Sequence, residues 1–133
     1  MKAFEVLVVD DDSIITMLHN RLVINSGLHE SPRPFYCGQD ALNFIRNNRD
    51  RRYLVLLDIN MPGISGWDFL DRINREDLSG LVQVVMITSS VDSADAEHAG
   101  RYATVIDYIA KPLTLQNLVA LQKMEEIRTF TGP

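Results

Sequence analysis

The sequence predicts an α/β fold in which five parallel strands form one doubly wound sheet with helices on both faces. Residues 54–57 are four apolar side chains in a row, which is typical of a strand buried on both faces of a parallel sheet. Strand-like and helix-like segments alternate five times along the 133 residues. Because helical crossovers join parallel strands, this alternation indicates one domain with one core.

Four of the predicted strands end in polar side chains. Residues 4–9 run into the acidic triplet 10–12, and residues 54–57 stop at Asp58, before a Met-Pro-Gly turn. Residues 82–87 lead to Thr88, and residues 105–109 lead through Ala110 to Lys111. Open α/β sheets bind ligands at the carboxyl ends of their strands, so carboxylates, a hydroxyl and an ammonium are expected to meet there.

The first half of the chain supplies two helices and an edge strand. A helix begins at Ser13, with Asp12 or Ser13 as its N-cap, and ends at Gly27. Its apolar residues on one side are Ile14, Ile15, Leu18 and Leu22. A short strand over residues 34–37 contains a proline, which favours an edge position. The second helix follows Gly38-Gln39-Asp40 and carries Ala41, Leu42, Phe44 and Ile45.

The second half supplies three more helices. Ser65 and Asp68 have the spacing of a capping box, and the helix they begin carries an inward stripe of Trp67, Leu70 and Ile73. A polar fourth helix is predicted over residues 93–101. Leu115, Leu118 and Val119 mark a final helix that extends to about residue 128.

Composition excludes several classes of function. The net charge of −5 does not favour a nucleic-acid surface, and no apolar run approaches the roughly 20 residues that span a bilayer. Cys37 is the single cysteine, so an internal disulfide is excluded and a reducing, cytoplasmic compartment is expected, without a signal peptide. The three histidines, His19, His29 and His98, show no metal-ligand spacing with Cys37 and are expected at the surface or at helix flanks.

The acidic residues predict a metal site. Asp10, Asp11 and Asp58 would bring at least two carboxylates close together, and like charges at short range oppose ionisation unless a cation neutralises them. Magnesium, which prefers oxygen ligands, is the simplest such cation. Asp58 is then either a third metal ligand or a nucleophile that accepts a phosphoryl group. In the second case the metal, Lys111 and the Thr88 hydroxyl would stabilise the charge on the transferring group.

These motifs, taken in order, resemble the receiver domain of two-component response regulators, and the chemotaxis regulators in particular. The matching segments are residues 7–11, residues 58–66, residues 87–89 and residues 108–112, and the resemblance runs from about residue 4 to residue 128. Each segment alone is weakly specific, whereas all of them at successive strand ends are highly specific.

The resemblance implies a flavodoxin-like sheet of order 2-1-3-4-5 and a role for each site residue. Asp58 would be the phosphorylated residue, and Asp10 and Asp11 the acid pair. The magnesium ligands would come from Asp10, Asp11, Asp58 and the backbone carbonyl of Asn60. Thr88 and Lys111 would hold the phosphoryl group, Tyr108 would respond to it, and the Lys111–Pro112 peptide would be cis.

The resemblance also implies partners. We expect a sensor histidine kinase or a histidine phosphotransfer protein as phosphodonor. A downstream protein, or a second copy of the chain, would bind the face made by the fourth helix, the fifth strand and the fifth helix. The chain is expected to be a single receiver domain without an output domain. One segment departs from the family pattern, because receivers often carry Gly-Ala before the last strand and this chain has Thr104-Val105.

Three other interpretations were weighed. A haloacid-dehalogenase-type phosphohydrolase also uses a strand-end aspartate with magnesium, but it needs a second aspartate two residues later, where this chain has Asn60. A pseudo-receiver that only binds partners would be favoured by loss of an acidic residue or of Lys111, and all are present. A flavin-binding relative of flavodoxin would have a phosphate loop after the first strand, where Asp10, Asp11 and Asp12 repel phosphate instead.

Overall fold

The computed structural model describes residues 3–89 and 92–131, and its five strands form one parallel sheet of order β2-β1-β3-β4-β5. The strands are β1 (Ala3–Val9), β2 (Arg33–Phe35), β3 (Arg51–Asp58), β4 (Val82–Thr88) and β5 (Val105–Ala110). The predicted flavodoxin-like sheet order is confirmed. The register aligns Val8 with Leu56 and Thr88 with Ala110, so the carboxyl ends of the strands share one edge.

Helices cover both faces of the sheet. They are α1 (Ser13–Ser26), α2 (Gly38–Asn47), α3 (Gly66–Arg75), α4 (Ser93–Ala99), α5 (Leu115–Gln122) and α6 (Glu125–Thr131), with a 3-10 turn at Ser79–Leu81. One core layer joins the sheet to α2, α3 and Ala99 of α4, and the other joins it to α1, α5 and α6. From Tyr53 to Asp58, every residue of β3 is buried, as expected for a central strand with helices on both sides.

The inward side of α1 differs from the prediction. Ile14 and Leu18 are 64% and 51% exposed, whereas Thr16, His19 and Val23 are buried. Apolar residues occur on every side of this helix, so the apolar pattern alone did not identify the buried stripe. The Thr16 hydroxyl can lie inward because it donates to two backbone carbonyls, those of Asp10 and Asp12, both at 2.9 Å.

Three element boundaries also differ. The edge strand occupies Arg33–Phe35 rather than residues 34–37, and α4 ends at Ala99, where the Gly100 amide donates to the Ala96 carbonyl. The predicted final helix is two helices, separated by Lys123 and Met124. No glycine or proline marks this break in the sequence. Both helices bury side chains in the same core layer, as Leu118, Leu121 and Ile127 show.

Candidate functional site

Three carboxylates meet where β1 and β3 end. Asp10 follows β1 and is 2% exposed, Asp58 is the last residue of β3 and is 5% exposed, and Asp11 is exposed to solvent. One oxygen of each side chain can be chosen so that all three lie within 4.8 Å of one another. Oxygen ligands at this spacing suit a hard divalent cation such as magnesium. The predicted clustering of these residues is confirmed.

The turn after β1 holds Asp10 in place. The Asp12 amide donates to Asp10 Oδ1 at 2.9 Å, and the Thr16 hydroxyl donates to the Asp10 carbonyl. Asp12 is the N-cap of α1, because its side chain accepts hydrogen bonds from the amides of Ile14 and Ile15. The three consecutive aspartates therefore have different surroundings: Asp12 caps a helix, whereas Asp10 and Asp11 lie beside Asp58.

Lys111 brings a cation to the carboxylates from the end of β5. Its amide donates to the Thr88 carbonyl at 2.6 Å, and the Lys111–Pro112 peptide is cis, as the resemblance implied. Its Nζ lies 2.8 Å from Asp10 Oδ2 and 3.6 Å from Asp58 Oδ1. Burial disfavours the charged ammonium, but the hydrogen bond to Asp10 and the charge of Asp58 outweigh it and raise the pKa of Lys111.

Electrostatics set Asp58 apart from an ordinary aspartate. Burial, followed by the negative charge of Asp10, raises the pKa of Asp58 above its usual range. The Lys111 ammonium and a hydrogen bond from the Asn60 backbone amide act in the opposite direction. A carboxylate that is costly to keep charged is stabilised by any additional cation, so the site as a whole favours binding of positive charge.

The turn that follows Asp58 requires glycine at two positions, for two different reasons. Gly63 has a φ of 81°, a conformation that favours glycine. Gly66 is the first residue of α3, and its amide donates to the Ile59 carbonyl at 2.9 Å. A Cβ at Gly66 would lie 2.9 Å from both the Asp58 carbonyl oxygen and Ile59 Cα. The start of α3 is therefore packed directly against the backbone of Asp58.

Thr88 and Tyr108 lie on neighbouring strands next to this cluster. Thr88 is fully buried at the end of β4, and Tyr108 is half-buried on β5, packed against the core layer of α2 and α3. Burial, followed by the charge of Asp95 in α4, raises the pKa of Tyr108, while a side-chain hydrogen bond with Thr88 opposes the rise. The hydroxyls of a strand-end threonine and a half-buried tyrosine are thus linked.

The sequence analysis missed His19 as a neighbour of the site. The expectation that it lies at the surface was wrong, because its side chain is buried on the inward side of α1. The pKa of His19 is lowered, mainly because burial disfavours the charged imidazolium. The negative charge of Asp10 opposes this shift, and the positive charge of Lys111 adds to it. The available signal was its spacing, three residues after Thr16 and four before Val23, on one helical face.

The carboxyl edge of this sheet of order 2-1-3-4-5 thus carries an acidic cluster together with a lysine, and a threonine ends the neighbouring strand β4. Residues 6–123 match the family model described as "Response regulator receiver domain". The chain belongs to this family.

Individual relatives agree with the family. The chain is 28% identical to the probable methanogenesis regulatory protein FilR2 of Methanothrix harundinacea, over 96% of this chain and 83% of that protein. It is 36% identical to the DNA-binding response regulator MtrA of Mycobacterium tuberculosis, over 86% of this chain but only 47% of that protein. A two-component response regulator from Cytophaga hutchinsonii, known from a crystal structure, is 28% identical, with a TM-score of 0.83 over 96% of this chain and 98% of that one.

The structure therefore brings the side chains of Asp10, Asp11, Asp58 and Lys111 together, and it places the linked pair Thr88 and Tyr108 on the strands β4 and β5. The Asn60 carbonyl as a metal ligand, and the chemical role of each residue, remain predictions. Within residues 3–89 and 92–131, no helix combines the length and apolar character needed to cross a membrane.

Proposed function

We propose that this receiver domain accepts a phosphoryl group on Asp58 and thereby changes the surface that it presents to a partner protein. The observation that supports the proposal is the arrangement around Asp58: a buried carboxylate with two others within 4.8 Å, and a lysine ammonium 3.6 Å away. This arrangement places positive charge beside a nucleophile, as phosphoryl transfer requires.

The transfer we propose begins with attack of an Asp58 oxygen on the phosphorus of a phosphohistidine. The new P–O bond forms as the P–N bond breaks, and the bonding electrons leave with the imidazole of the donor. Lys111 keeps its charge next to the acceptor, so its ammonium offsets charge on the phosphoryl oxygens. Thr88 donates its hydroxyl to one of those oxygens once the group is in place.

A divalent cation fits the same cluster. Asp11 and Asp58 would hold it together with the Asn60 carbonyl, and Asp10 would support it from the buried side. The donor set consists of oxygens, which suits magnesium, and burial and the Asp10 charge, which raise the pKa of Asp58, favour the binding of a further cation. Magnesium would neutralise charge on the carboxylates and on the phosphoryl oxygens.

The phosphodonor is proposed to dock on α1. Ile14, Met17 and Leu18 are more than half exposed, at 64%, 58% and 51%, so the outer surface of this helix is apolar. A groove lined by Leu18 and Lys111, among other residues, continues from this surface to the site. A helical histidine kinase or phosphotransfer protein with a matching apolar surface would thus bring its phosphohistidine to Asp58.

Docking can be tested separately from chemistry. Met17→Asp should slow transfer from a phosphorylated histidine phosphotransfer protein, while the rate with acetyl phosphate, which needs no docking surface, should stay at the parental value. Equal slowing with both donors would contradict the docking proposal. Val119→Asp is the matched control, because Val119 is an exposed apolar residue on α5, at 43%.

Two alternatives are disfavoured by particular residues. A phosphohydrolase of the haloacid-dehalogenase type would need an aspartate as acid and base two residues after Asp58, and Asn60 at that position cannot act as one. A pseudo-receiver that only binds partners would have no use for the partly buried Lys111–Asp10 ion pair beside Asp58.

The direct test is incubation with acetyl phosphate and magnesium, followed by intact-mass measurement. We expect the parent to gain one phosphoryl group and Asp58→Asn to gain none. Asp12→Asn, which keeps an N-cap side chain on α1, should accept the group as the parent does. An unmodified parent under these conditions would contradict the proposed function.

A further inference from the structure

Helix α4 has few side chains in the core. It has seven residues, of which Ala99 is buried and the others are exposed or half-buried. A helix of this length is not stable in water without tertiary contacts. Its position must therefore depend on the residues that pack against its half-buried side.

An aromatic stack joins α4 to α3. The imidazole of His98 lies 4.0 Å from the Trp67 indole, centroid to centroid, with the two planes 18° apart. Tyr102, just beyond α4, lies 6.2 Å from Trp67 and 5.7 Å from His98, and its hydroxyl donates to Asp71 Oδ1 at 2.7 Å. Trp67 and Asp71 are one turn apart on α3, so two successive turns of α3 hold the end of α4.

The same stack is connected to both sides of the candidate site. Trp67 directly follows Gly66, whose backbone is packed against Asp58. On the other side of the cluster, α4 packs against β5, the strand that carries Tyr108, and the Tyr108 side chain is hydrogen-bonded to Thr88. Helix α4 is thus connected to Asp58 through α3 and to Thr88 through Tyr108.

We propose that Trp67, His98 and Tyr102 form an aromatic latch that holds α4 in its resting position, and that the Trp67–His98 contact opens when Asp58 carries a phosphoryl group. The inference rests on the proposed function of Asp58. A phosphoryl group attracts the Thr88 hydroxyl, which releases Tyr108 from its present partner. Movement of Tyr108 then changes the surface on which α4 rests. The latch opposes this movement, so α4 shifts only when the free energy gained by the new contacts of the phosphoryl group exceeds the free energy of the aromatic contacts.

The first test observes the His98 ring by NMR while beryllofluoride, a phosphoryl mimic, is added with magnesium. Fluorine NMR of the same sample reports whether the mimic is bound. Stacking on the indole shifts the His98 ring protons upfield, and we expect this shift to diminish on binding in the parent but not in Asp58→Asn. A bound mimic with unchanged His98 signals would overturn the latch and leave the proposed function intact. Absence of binding to the parent would overturn both.

The second test uses the variants His98→Ala and His98→Phe. Loss of one aromatic contact should make the Ala96 and Gly100 amides exchange about 2- to 10-fold faster in His98→Ala, and His98→Phe should restore the parental rates. Because the latch favours the resting state, His98→Ala should also bind beryllofluoride about 2- to 10-fold more tightly. A residue with a merely structural role would not produce this gain, so unchanged or weaker binding would overturn the proposal.

Discussion

Lys111 Nζ donates a hydrogen bond of 2.8 Å to Asp10 Oδ2 across the sheet edge, and the same atom lies farther, at 3.6 Å, from Asp58. The lysine is thus held by Asp10, which is not the proposed nucleophile, and its ammonium remains near Asp58, which is. Since its charge is fixed by Asp10, little reorganisation is needed when a phosphoryl group arrives.

Lys111→Ala tests this arrangement. The variant should still bind magnesium, because Lys111 is not proposed as a ligand, but it should lose the conformational response to beryllofluoride. The measurement is a pair of titrations that monitor Trp67, the chain's single tryptophan. Lys123→Ala, outside the site, is the control and should respond as the parent does. Equal spectral changes in Lys111→Ala and the parent would count against the role of Lys111.

Asp11→Ala should weaken magnesium binding by about tenfold or more, because the site has few protein ligands and loses one full charge. Calorimetric titration of the cation measures the effect. Asp12→Asn should bind as tightly as the parent, since Asp12 caps α1 and lies outside the acidic cluster. If the two variants bind alike, Asp11 is not a ligand.

The raised pKa of Asp58 predicts a pH-dependent stability when divalent cations are chelated. The folded chain keeps the Asp58 proton at a pH at which the unfolded chain has released it. The contribution of this carboxyl to the free energy of unfolding therefore falls as the pH rises from the pKa of the unfolded chain, about 3.9, to the higher pKa of the folded chain. Above the folded pKa, the contribution stays at its lowest value. Asp58→Asn removes the charge, so it should be the more stable protein at pH 7.

Denaturant unfolding at pH 4 and pH 7 measures this difference. The advantage of Asp58→Asn should be larger at pH 7. Asp50→Asn, in which the replaced side chain is 78% exposed, is the control and should follow the parent. A variant Asp58→Asn that is no more stable than the parent at pH 7 would show that the carboxylate is adequately compensated by Lys111.

Thr88→Ala should separate phosphorylation from the response of Tyr108. The variant keeps the Asp58 carboxylate and the Lys111 ammonium beside it, but it lacks the Thr88 hydroxyl that is proposed to transmit the change from Asp58 to Tyr108. We expect the Tyr108 ring to become more buried on adding beryllofluoride in the parent and in Thr88→Ser, and to remain unchanged in Thr88→Ala. NMR of the tyrosine ring decides between these outcomes. Identical responses in all three proteins would exclude Thr88 as the link.

Thr104 occupies the position where receivers often carry glycine, and its hydroxyl is an unexplained feature of the fold. The side chain is 5% exposed, and Oγ1 has no hydrogen-bond partner. Thr104→Val should therefore raise the free energy of unfolding by about 1 kcal/mol. Thr16→Val is the matched control: Thr16 is also buried, but its hydroxyl has two acceptors, so this variant should lose about 1–2 kcal/mol. If Thr104→Val loses as much free energy of unfolding as Thr16→Val in chemical denaturation, the Thr104 hydroxyl is not an unsatisfied polar group.

Much of the site could be predicted from the sequence because its residues lie at strand ends. Asp58 and Thr88 follow apolar runs, and parallel strands bring such ends together at one edge, so no long-range information was needed. The inward side of α1 was not predictable in this way, because Ile14 and Leu18 are as apolar as any core residue. His19 and the break between α5 and α6 depend on packing between distant segments, which a local pattern does not record.

The Trp67–His98 contact was also beyond sequence reasoning. The pattern predicts Trp67 on the inward stripe with Leu70 and Ile73, and its side chain is only half-buried, at the margin of that core. Its stacking partner His98 belongs to α4, which follows β4 in the chain. Neither residue forms part of a motif. Only the geometry of the folded chain relates them.

The most direct test of the central claim is the identity of the residue that receives the phosphoryl group. After reaction with acetyl phosphate and magnesium, borohydride reduces an aspartyl phosphate to homoserine, and peptide mass spectrometry then locates it. We expect homoserine at position 58 in the parent, and none when the phosphodonor is omitted or in Asp58→Asn. Homoserine at position 10 or 11 in the parent, or phosphorylation that persists in Asp58→Asn, would contradict it.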